Sequence, residues 1–507
     1  MLTCKNITIT HKKDSRVLIR DFSFTPREGE KVAVIGEEGN GKSTLIRLMH
    51  DPTLISDYAE YSGTVTKGAG ESKIVTGYLP QELEAEYFDM PVWEYLGSYD
   101  ANPGFLARLA DEVGLSADVL YSDRLTGSFS GGELVKLRLL RMLAAEPDVL
   151  LLDEPSNDLD LYALAWLEDW IASVKKTVIF ISHDETLLEH CADTVIHIEQ
   201  IMRKTEPKVT VCRTGYADYI ERRSDLIARS AAEAKNDRAE YEKKLERYRR
   251  VYERVHFEQN SVSRQDPHGG RLLKKKMHTV KAMERRFERE KENLTQKIDA
   301  EEAVMIDFPT VSVPAGKTVL DLDLPVLSAP DGQILAENLR LTVYGGDHLV
   351  ITGPNGCGKT TLMKHIAEEL LLRTDLHAAY MPQNYADLLD PDETPVDYLR
   401  ASLGDFSEPT AVKIRTYLGS VKFTPAEMAH PIGELSGGQR AKLCFLKMIL
   451  EGADVLLLDE PTRNLSPMTN PVIRRILVSF GGTIIAVSHD RKFISEVGEL
   501  EYQFPVR

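Results

Sequence analysis

Two glycine-rich stretches hold the residue types that bind phosphate. Gly36-Glu-Glu-Gly39-Asn-Gly41-Lys42-Ser43-Thr44 follows the strand-like run Lys31-Val-Ala-Val-Ile35, and Gly353-Pro-Asn-Gly356-Cys-Gly358-Lys359-Thr360-Thr361 follows His348-Leu-Val-Ile-Thr352. Glycines at this spacing let backbone amides curl around phosphate oxygens, and a helix starting at the lysine adds a favourable dipole. The chemistry predicts Lys42 and Lys359 against the terminal phosphates of a nucleotide, with Ser43 and Thr360 as Mg2+ ligands. Downstream, Val149-Leu-Leu-Leu-Asp153-Glu154 and Val455-Leu-Leu-Leu-Asp459-Glu460 read as buried strands ending in paired carboxylates. Each aspartate suits direct or indirect Mg2+ binding, and each glutamate suits polarising an attacking water. A strand meeting a turn would show the same apolar run, but two loops followed by the same further motifs in the same order exclude coincidence.

Ahead of each carboxylate strand lies Phe129-Ser130-Gly131-Gly132-Glu133 or Leu435-Ser436-Gly437-Gly438-Gln439. With this signature the chain resembles a tandem ATP-binding-cassette protein, in which ATP and Mg2+ are bound and ATP is hydrolysed to ADP and phosphate. The resemblance assigns Gln81 (Tyr78-Leu-Pro-Gln81) and Gln383 (Tyr380-Met-Pro-Gln383) to the glutamine loop. His183 and His489 become the switch histidines, each 30 residues beyond its aspartate (183 − 153 and 489 − 459). It also implies head-to-tail sites, with ATP on Lys42 covered by the Ser436 signature and ATP on Lys359 covered by the Ser130 signature. Binding of two nucleotides would then close the halves, and hydrolysis would reopen them.

The elements that must position these residues form two α/β domains with a helical segment between them. From Tyr216 to Glu302 the pattern predicts two long charged helices. Their apolar residues are Tyr241, Leu245, Tyr248, Tyr252 and Val255 in the first, and Val280, Met283, Phe287, Leu294 and Ile298 in the second. These heptad-compatible steps put a narrow seam on each helix, as an antiparallel hairpin requires, and Asp266-Pro-His-Gly-Gly270 breaks the helix between them. From Asn236 to Leu294 there are 17 Lys and Arg against 11 Asp and Glu, net +6, in a chain of net −17. A solvated coiled coil carries charge too, yet a basic tip on an acidic protein has the makeup of a local phosphate contact. Net acidity argues against general coating of nucleic acid. No apolar run approaches the length of a membrane span, the start has no signal-peptide layout, and five scattered cysteines show no metal-ligand spacing. A reduced cytoplasmic setting is expected.

Two cassettes, no membrane span and a charged helical linker entered through Thr214-Gly-Tyr-Ala-Asp-Tyr219 are similar to the ABC-F family. The resemblance implies a cytoplasmic ATPase of the translation machinery that binds the 70S ribosome near the tRNA exit site. There the linker tip approaches 23S rRNA, peptidyl-tRNA and the peptidyl-transferase centre. Arg264, His268, Arg271, Leu272, Leu273, Lys274, Lys275 and Lys276 are the expected RNA contacts. The expected division is a first ATPase domain at 1–215, a helical hairpin linker at 216–304 and a second ATPase domain at 305–507, in a monomer whose cassettes pair intramolecularly. Gln81 to Ser130 spans 49 residues and Gln383 to Ser436 spans 53, so the first cassette carries no large insertion there. About 15 extra residues sit around Asp51 to Lys73, and 18 follow His489, so that no C-terminal domain is expected. Ser466 stands where the first half has Asp160, and Phe129 and Glu133 depart from the common signature. These features resemble the antibiotic-resistance branch, which protects ribosomes from drugs, and they predict unequal sites. A housekeeping factor for stalled ribosomes uses the same parts; the ATPase subunit of a transporter is the third class.

Overall fold

The computed structural model describes residues 1–69, 72–97, 103–157, 159–261, 275, 277–278, 283, 313–330 and 332–505. In the first half, β1 (Leu2–His11), β2 (Val17–Phe24), β4 (Ala59–Ala69) and β5 (Ser72–Lys73) form an antiparallel sheet in the order β2-β1-β4-β5. A second sheet has the order β10-β9-β3-β8-β7-β6, from β3 (Lys31–Ile35), β6 (Thr76–Leu79), β7 (Val149–Asp153), β8 (Thr177–Ile181), β9 (Thr194–Gln200) and β10 (Glu206–Cys212). All residues of β3, β7 and β8 are buried, which explains their unbroken apolar runs: a parallel strand covered on both faces has no solvent side to alternate with.

The second half repeats this plan. β11 (Thr318–Ser328) and β12 (Ile334–Tyr344) pair antiparallel. β13 (His348–Thr352), β14 (Ala378–Met381), β15 (Val455–Asp459), β16 (Thr483–Val487) and β17 (Leu500–Gln503) form a parallel sheet in the order β14-β15-β16-β13-β17. The extra residues around Asp51 to Lys73 build β4, which lies along β1 from Leu2↔Lys67 to His11↔Ala59 and makes the first antiparallel sheet the larger.

In both sheets the loop-bearing strand is separated from the carboxylate strand by one neighbour, β8 or β16. Parallel register brings all three carboxyl ends to one edge, where ligands of open α/β sheets bind. Among the described helices are α1 (Lys42–His50), α2 (Gly131–Ala144), α3 (Leu161–Ser173), α4 (Glu185–Cys191), α5 (Tyr216–Ser261), α6 (Lys359–Leu370), α7 (Gly437–Glu451), α8 (Asn470–Val478) and α9 (Arg491–Val497).

Chain contacts group the residues into two compact units, Met1–Tyr216 with Glu301–Arg507, and Ala217–Ala300. Both cassettes thus belong to one unit. Within the other, the expected seam of α5 is seen in part: Tyr241, Leu245 and Tyr248 are half-buried and Val255 is buried, but Tyr252 is exposed, its ring 6.1 Å from that of Tyr248. Met283 is exposed; Val280, Phe287, Leu294, Ile298 and the Asp266–Gly270 break lie outside the described residues. All five cysteines are free, and no described helix is long and apolar enough to cross a membrane.

Leu151, fully buried at the centre of β7, tests the importance of this edge. Leu151→Ala is expected to destabilise the first cassette by about 2–5 kcal/mol, as core truncations do. Denaturant unfolding would show it; a loss below ~1 kcal/mol would mean that the strand is not held by its packing.

Candidate nucleotide sites between the cassettes

Each phosphate loop begins with a glycine that no other residue can replace. Gly36 has φ 145° and Gly353 φ 148°, and a Cβ on Gly36 would collide with the Ile198 carbonyl oxygen. The Lys42 ammonium donates to the carbonyls of Gly36 (2.9 Å) and Glu37 (3.1 Å), and that of Lys359 to Gly353 (2.8 Å) and Pro354 (2.7 Å). The two cation heads therefore lie folded over their loops, one at each cassette.

Beside the first loop, the Ser43 hydroxyl donates to Asp153 Oδ1 at 2.8 Å, and Tyr78 donates to Oδ2 at 3.2 Å. Beside the second, the Asp459 carboxylate is buried, with the Thr360 hydroxyl near enough to oppose the effect of burial, and burial prevails and pushes that carboxyl up to about 6. A hydroxyl and a carboxylate at each loop are the hard oxygen donors that suit Mg2+, and the buried, desolvated Asp459 carboxylate is what such an ion would satisfy.

The glutamates that follow share an unusual backbone: Glu154 and Glu460 both have φ 53°, in the left-handed region that side chains disfavour. Their surroundings differ. His183 Nε2 lies 2.8 Å from Glu154 Oε1, while its Nδ1 lies 2.8 Å from the Leu465 carbonyl oxygen of the other cassette. A carbonyl only accepts, so Nδ1 carries a proton, and the contact with Glu154 needs a second one. Burial pushes the Glu154 carboxyl up, but the His183 charge and hydrogen bond, with Lys42, outweigh it and hold the group at about 2. At the second site His489 Nε2 is 3.7 Å from Glu460 Oε1, and His489 Nδ1 is buried without a partner. Burial and the Asp459 charge raise Glu460 to about 8, and burial with Lys359 lowers His489 to about 4.

Both signatures open helices through capping boxes. Ser130 accepts from the Glu133 amide while the Glu133 carboxylate accepts from Ser130, and Ser436 and Gln439 do the same. A cavity of about 670 Å³ is lined by Gly131, Asn157 and His183 of the first cassette and by Lys359, Thr360, Thr361, Gln383, Asp459, Glu460 and His489 of the second. A smaller one, about 340 Å³, is lined by Gly39, Gly41, Lys42, Ser43, Thr44, Gln81, Glu154 and His183 with Arg463 and Asn464. Ser436 and Gly438 do not line this smaller cavity but a separate pocket beside it, together with Glu37, Glu38 and Asn464. Gly437 packs against Glu38 and Asn464 at this same side, and Gly132 packs against Ala163 of its own cassette. Of the expected RNA contacts, Lys275 is helical and exposed, and Arg264, His268, Arg271, Leu272, Leu273, Lys274 and Lys276 lie outside the described residues.

Two residues at this contact carried no weight in the motif reading. Glu38 Oε2 accepts from the Gly438 amide at 2.9 Å, so a carboxylate of one loop sits on the first turn of the other cassette's α7. Glu37 pairs with Lys442 of α7 at 2.5 Å, with side chains only 12% and 4% exposed. The available signal was two acids at positions where the second loop has Pro354 and Asn355. The Ser466 substitution has a local consequence as well. Asp160 caps α3 by accepting from the Ala163 amide, whereas Ser466 turns to the Thr469 hydroxyl and α8 starts only at Asn470. One residue further on, the Pro467 carbonyl accepts from the hydroxyl of buried Tyr216, the first residue of α5 (3.3 Å).

Breaking a buried ion pair by removing one member strands the other charge. Lys442→Met is therefore expected to cost about 3 kcal/mol of stability, and adding Glu37→Gln to recover most of it. A cycle of thermal unfolding measurements in which the double variant is no better than Lys442→Met would show that the charge of Glu37 is indifferent to its partner.

The family model described as "ABC transporter" matches residues 19–157 and 336–463. The ATP-binding protein Uup of Escherichia coli (strain K12) is 29% identical over 92% of this chain and 74% of its own length. The tylosin resistance ATP-binding protein TlrC of Streptomyces fradiae is 28% identical over 96% of this chain and 94% of its own. In fold the chain is similar to an archaeal ribosome recycling factor, aABCE1, solved with the stalk protein aP1. That structure has a TM-score of 0.58 and 19% identity, covering 98% of this chain and 87% of that one. Two phosphate loops, two signatures and two carboxylate strands, facing each other across one interface, accord with these likenesses: the chain belongs to the ABC transporter family and is, within it, an ABC-F ATPase of two cassettes.

Proposed function

We propose that this ATPase acts on the bacterial 70S ribosome, entering near the tRNA exit site and bringing the linker tip to 23S rRNA and peptidyl-tRNA at the peptidyl-transferase centre. Protection of the ribosome from an antibiotic bound there is the role it best fits. The observation that carries this reading is the segment between the cassettes. Its first helix has 46 residues, about 69 Å at ~1.5 Å per residue, and positive charge is concentrated in a chain of net −17. RNA offers the phosphates and 2′-hydroxyls that such a segment meets. The likeness to a tylosin resistance protein, which covers most of both chains, supports protection, and the likeness of equal degree to the ATP-binding protein Uup leaves a housekeeping role in stalled translation as the second reading.

In the proposed cycle Lys42 and Lys359 bind the terminal phosphates of ATP, and the Ser436–Gln439 and Ser130–Gly132 signatures cover them from the opposite cassette. Gln81 and Gln383 line the same spaces. Ser43 with Asp153, and Thr360 with Asp459, would hold Mg2+, which supplies charge neutralisation for the departing phosphate. Glu154 and Glu460 take the proton of the attacking water, and His183 and His489 hold them in place. Because His183 contacts both Glu154 and the Leu465 carbonyl, water activation at the first site is tied to closure of the interface.

The 2.8 Å and 3.7 Å histidine contacts predict unequal sites. Glu154→Gln should abolish the larger share of steady-state ATPase turnover, about 10²-fold at its own site, while Glu460→Gln leaves the greater remainder. Equal losses would refute the inequality.

The ribosomal reading is tested by co-sedimentation of the Glu154→Gln, Glu460→Gln variant with 70S ribosomes, with and without ATP. ATP-dependent pelleting is expected, and its absence would sink the reading. Drug susceptibility of cells with and without the chain then separates protection from housekeeping, and exchange of residues 263–276 should alter the drug response.

A further inference from the structure

The two cassettes are related by a constant offset over their second halves: 459 − 153 and 489 − 183 are both 306. By the same offset Glu168 of α3 corresponds to Arg474 of α8, and Glu185 of α4 to Arg491 of α9. These four residues meet one another across the interface. Arg474 donates to both oxygens of Glu185, at 2.6 and 3.1 Å, with the side chains 3% and 5% exposed. Arg491 likewise donates to both oxygens of Glu168, at 2.9 Å through one nitrogen and at closer range through the other.

The pattern is reciprocal. Position 185 of one half meets the counterpart of 168, and position 168 meets the counterpart of 185. That is the rule of a self-complementary two-fold interface, in which residue i contacts j and j contacts i. Here the counterparts have opposite charge. If the first cassette met a second copy of itself in this geometry, Glu168 would face Glu185 twice; if the second cassette did so, Arg474 would face Arg491 twice. Buried like charges are strongly disfavoured, and bidentate guanidinium–carboxylate pairs are the favourable alternative.

We propose that this segregation of charge selects the partner of each cassette: the α3/α4 surface accepts the α8/α9 surface and rejects a second copy of either half. Flanking pairs run the same way, with Lys492 against Glu185 (3.5 Å) and Glu189, and Arg491 near Asp184 (3.7 Å). Lys442 with Glu37 also puts the acid on the first cassette and the base on the second. Lys204 with Glu427 is oriented oppositely. The interaction is a device of specificity, built on electrostatic exclusion as well as attraction. It does not depend on a ribosomal role.

A charge-reversal cycle in the full chain tests this, in a background of Lys492→Gln and Glu496→Gln. The background removes the neighbouring charges that reversal would oppose, Lys492 beside Glu185 and Glu496 beside Arg474. Glu185→Arg sets Arg against Arg474 within the chain but makes two first cassettes complementary to each other. It should therefore lower ATPase turnover about tenfold and double the mass measured by light scattering at micromolar concentration. Arg474→Glu should do the same through the second cassette. Combining the two should restore the turnover and mass of the background. Single variants that keep the background mass would overturn the proposal, as would a combined variant that melts normally yet stays as impaired as its parents.

Discussion

A phosphate loop encloses an anion from one side only. In this chain Arg463 and Asn464 of the second cassette line the space at the first loop, and Gly131 of the first cassette lines the space at the second. The short distance between Glu38 of one loop and the Gly438 amide of the other half makes that sharing visible at the first site. Much of the remaining architecture follows from it. The parallel strands β3 and β13 lead into the loops and put them on a common edge with the carboxylates, and the interface brings the two edges face to face.

The two sites use the same parts in different states. At the first, His183 spans the interface between Glu154 and the Leu465 carbonyl, and the enclosed space is about 340 Å³. At the second, His489 lies further from Glu460, burial holds the Asp459 carboxyl up at about 6, and the space is about 670 Å³. Three successive residues of the second cassette make contacts beside the tighter site. Leu465 receives His183, Ser466 binds Thr469, and Pro467 receives the hydroxyl of Tyr216. The asymmetry thus falls at the site whose covering loop also touches the first residue of α5.

Charge has two separate uses. In the linker it is basic and local, set against a net acidic chain, which suits a phosphate-rich surface. At the cassette interface it is sorted, acids on one half and bases on the other at equivalent positions. Duplication of one cassette alone would give like charges at those positions. Opposite charges make the intramolecular pair the complementary one, at the modest cost of burying ions that hydrogen-bond each other.

The repeated chemistry was legible in the chain itself, because phosphate binding and water activation demand particular residues at short local spacing. Gly36 to Thr44, Asp153-Glu154, Ser130-Gly-Gly132 and their counterparts needed no tertiary knowledge, and neither did the seam of α5 from Tyr241 to Val255. What folding alone decided lies between residues far apart in the chain. Arg474 reaches Glu185 over a separation of 289 residues, and Glu38 reaches Gly438 over 400. Nothing local distinguishes those acids from solvated ones. The unequal histidines were hidden for the same reason: Ser-His-Asp occurs in both halves, and only the facing loop settles whether the ring has a carbonyl to hold. Sequence determines which groups can do the chemistry when the geometry is set by one turn or one strand; tertiary structure decides which of them meet.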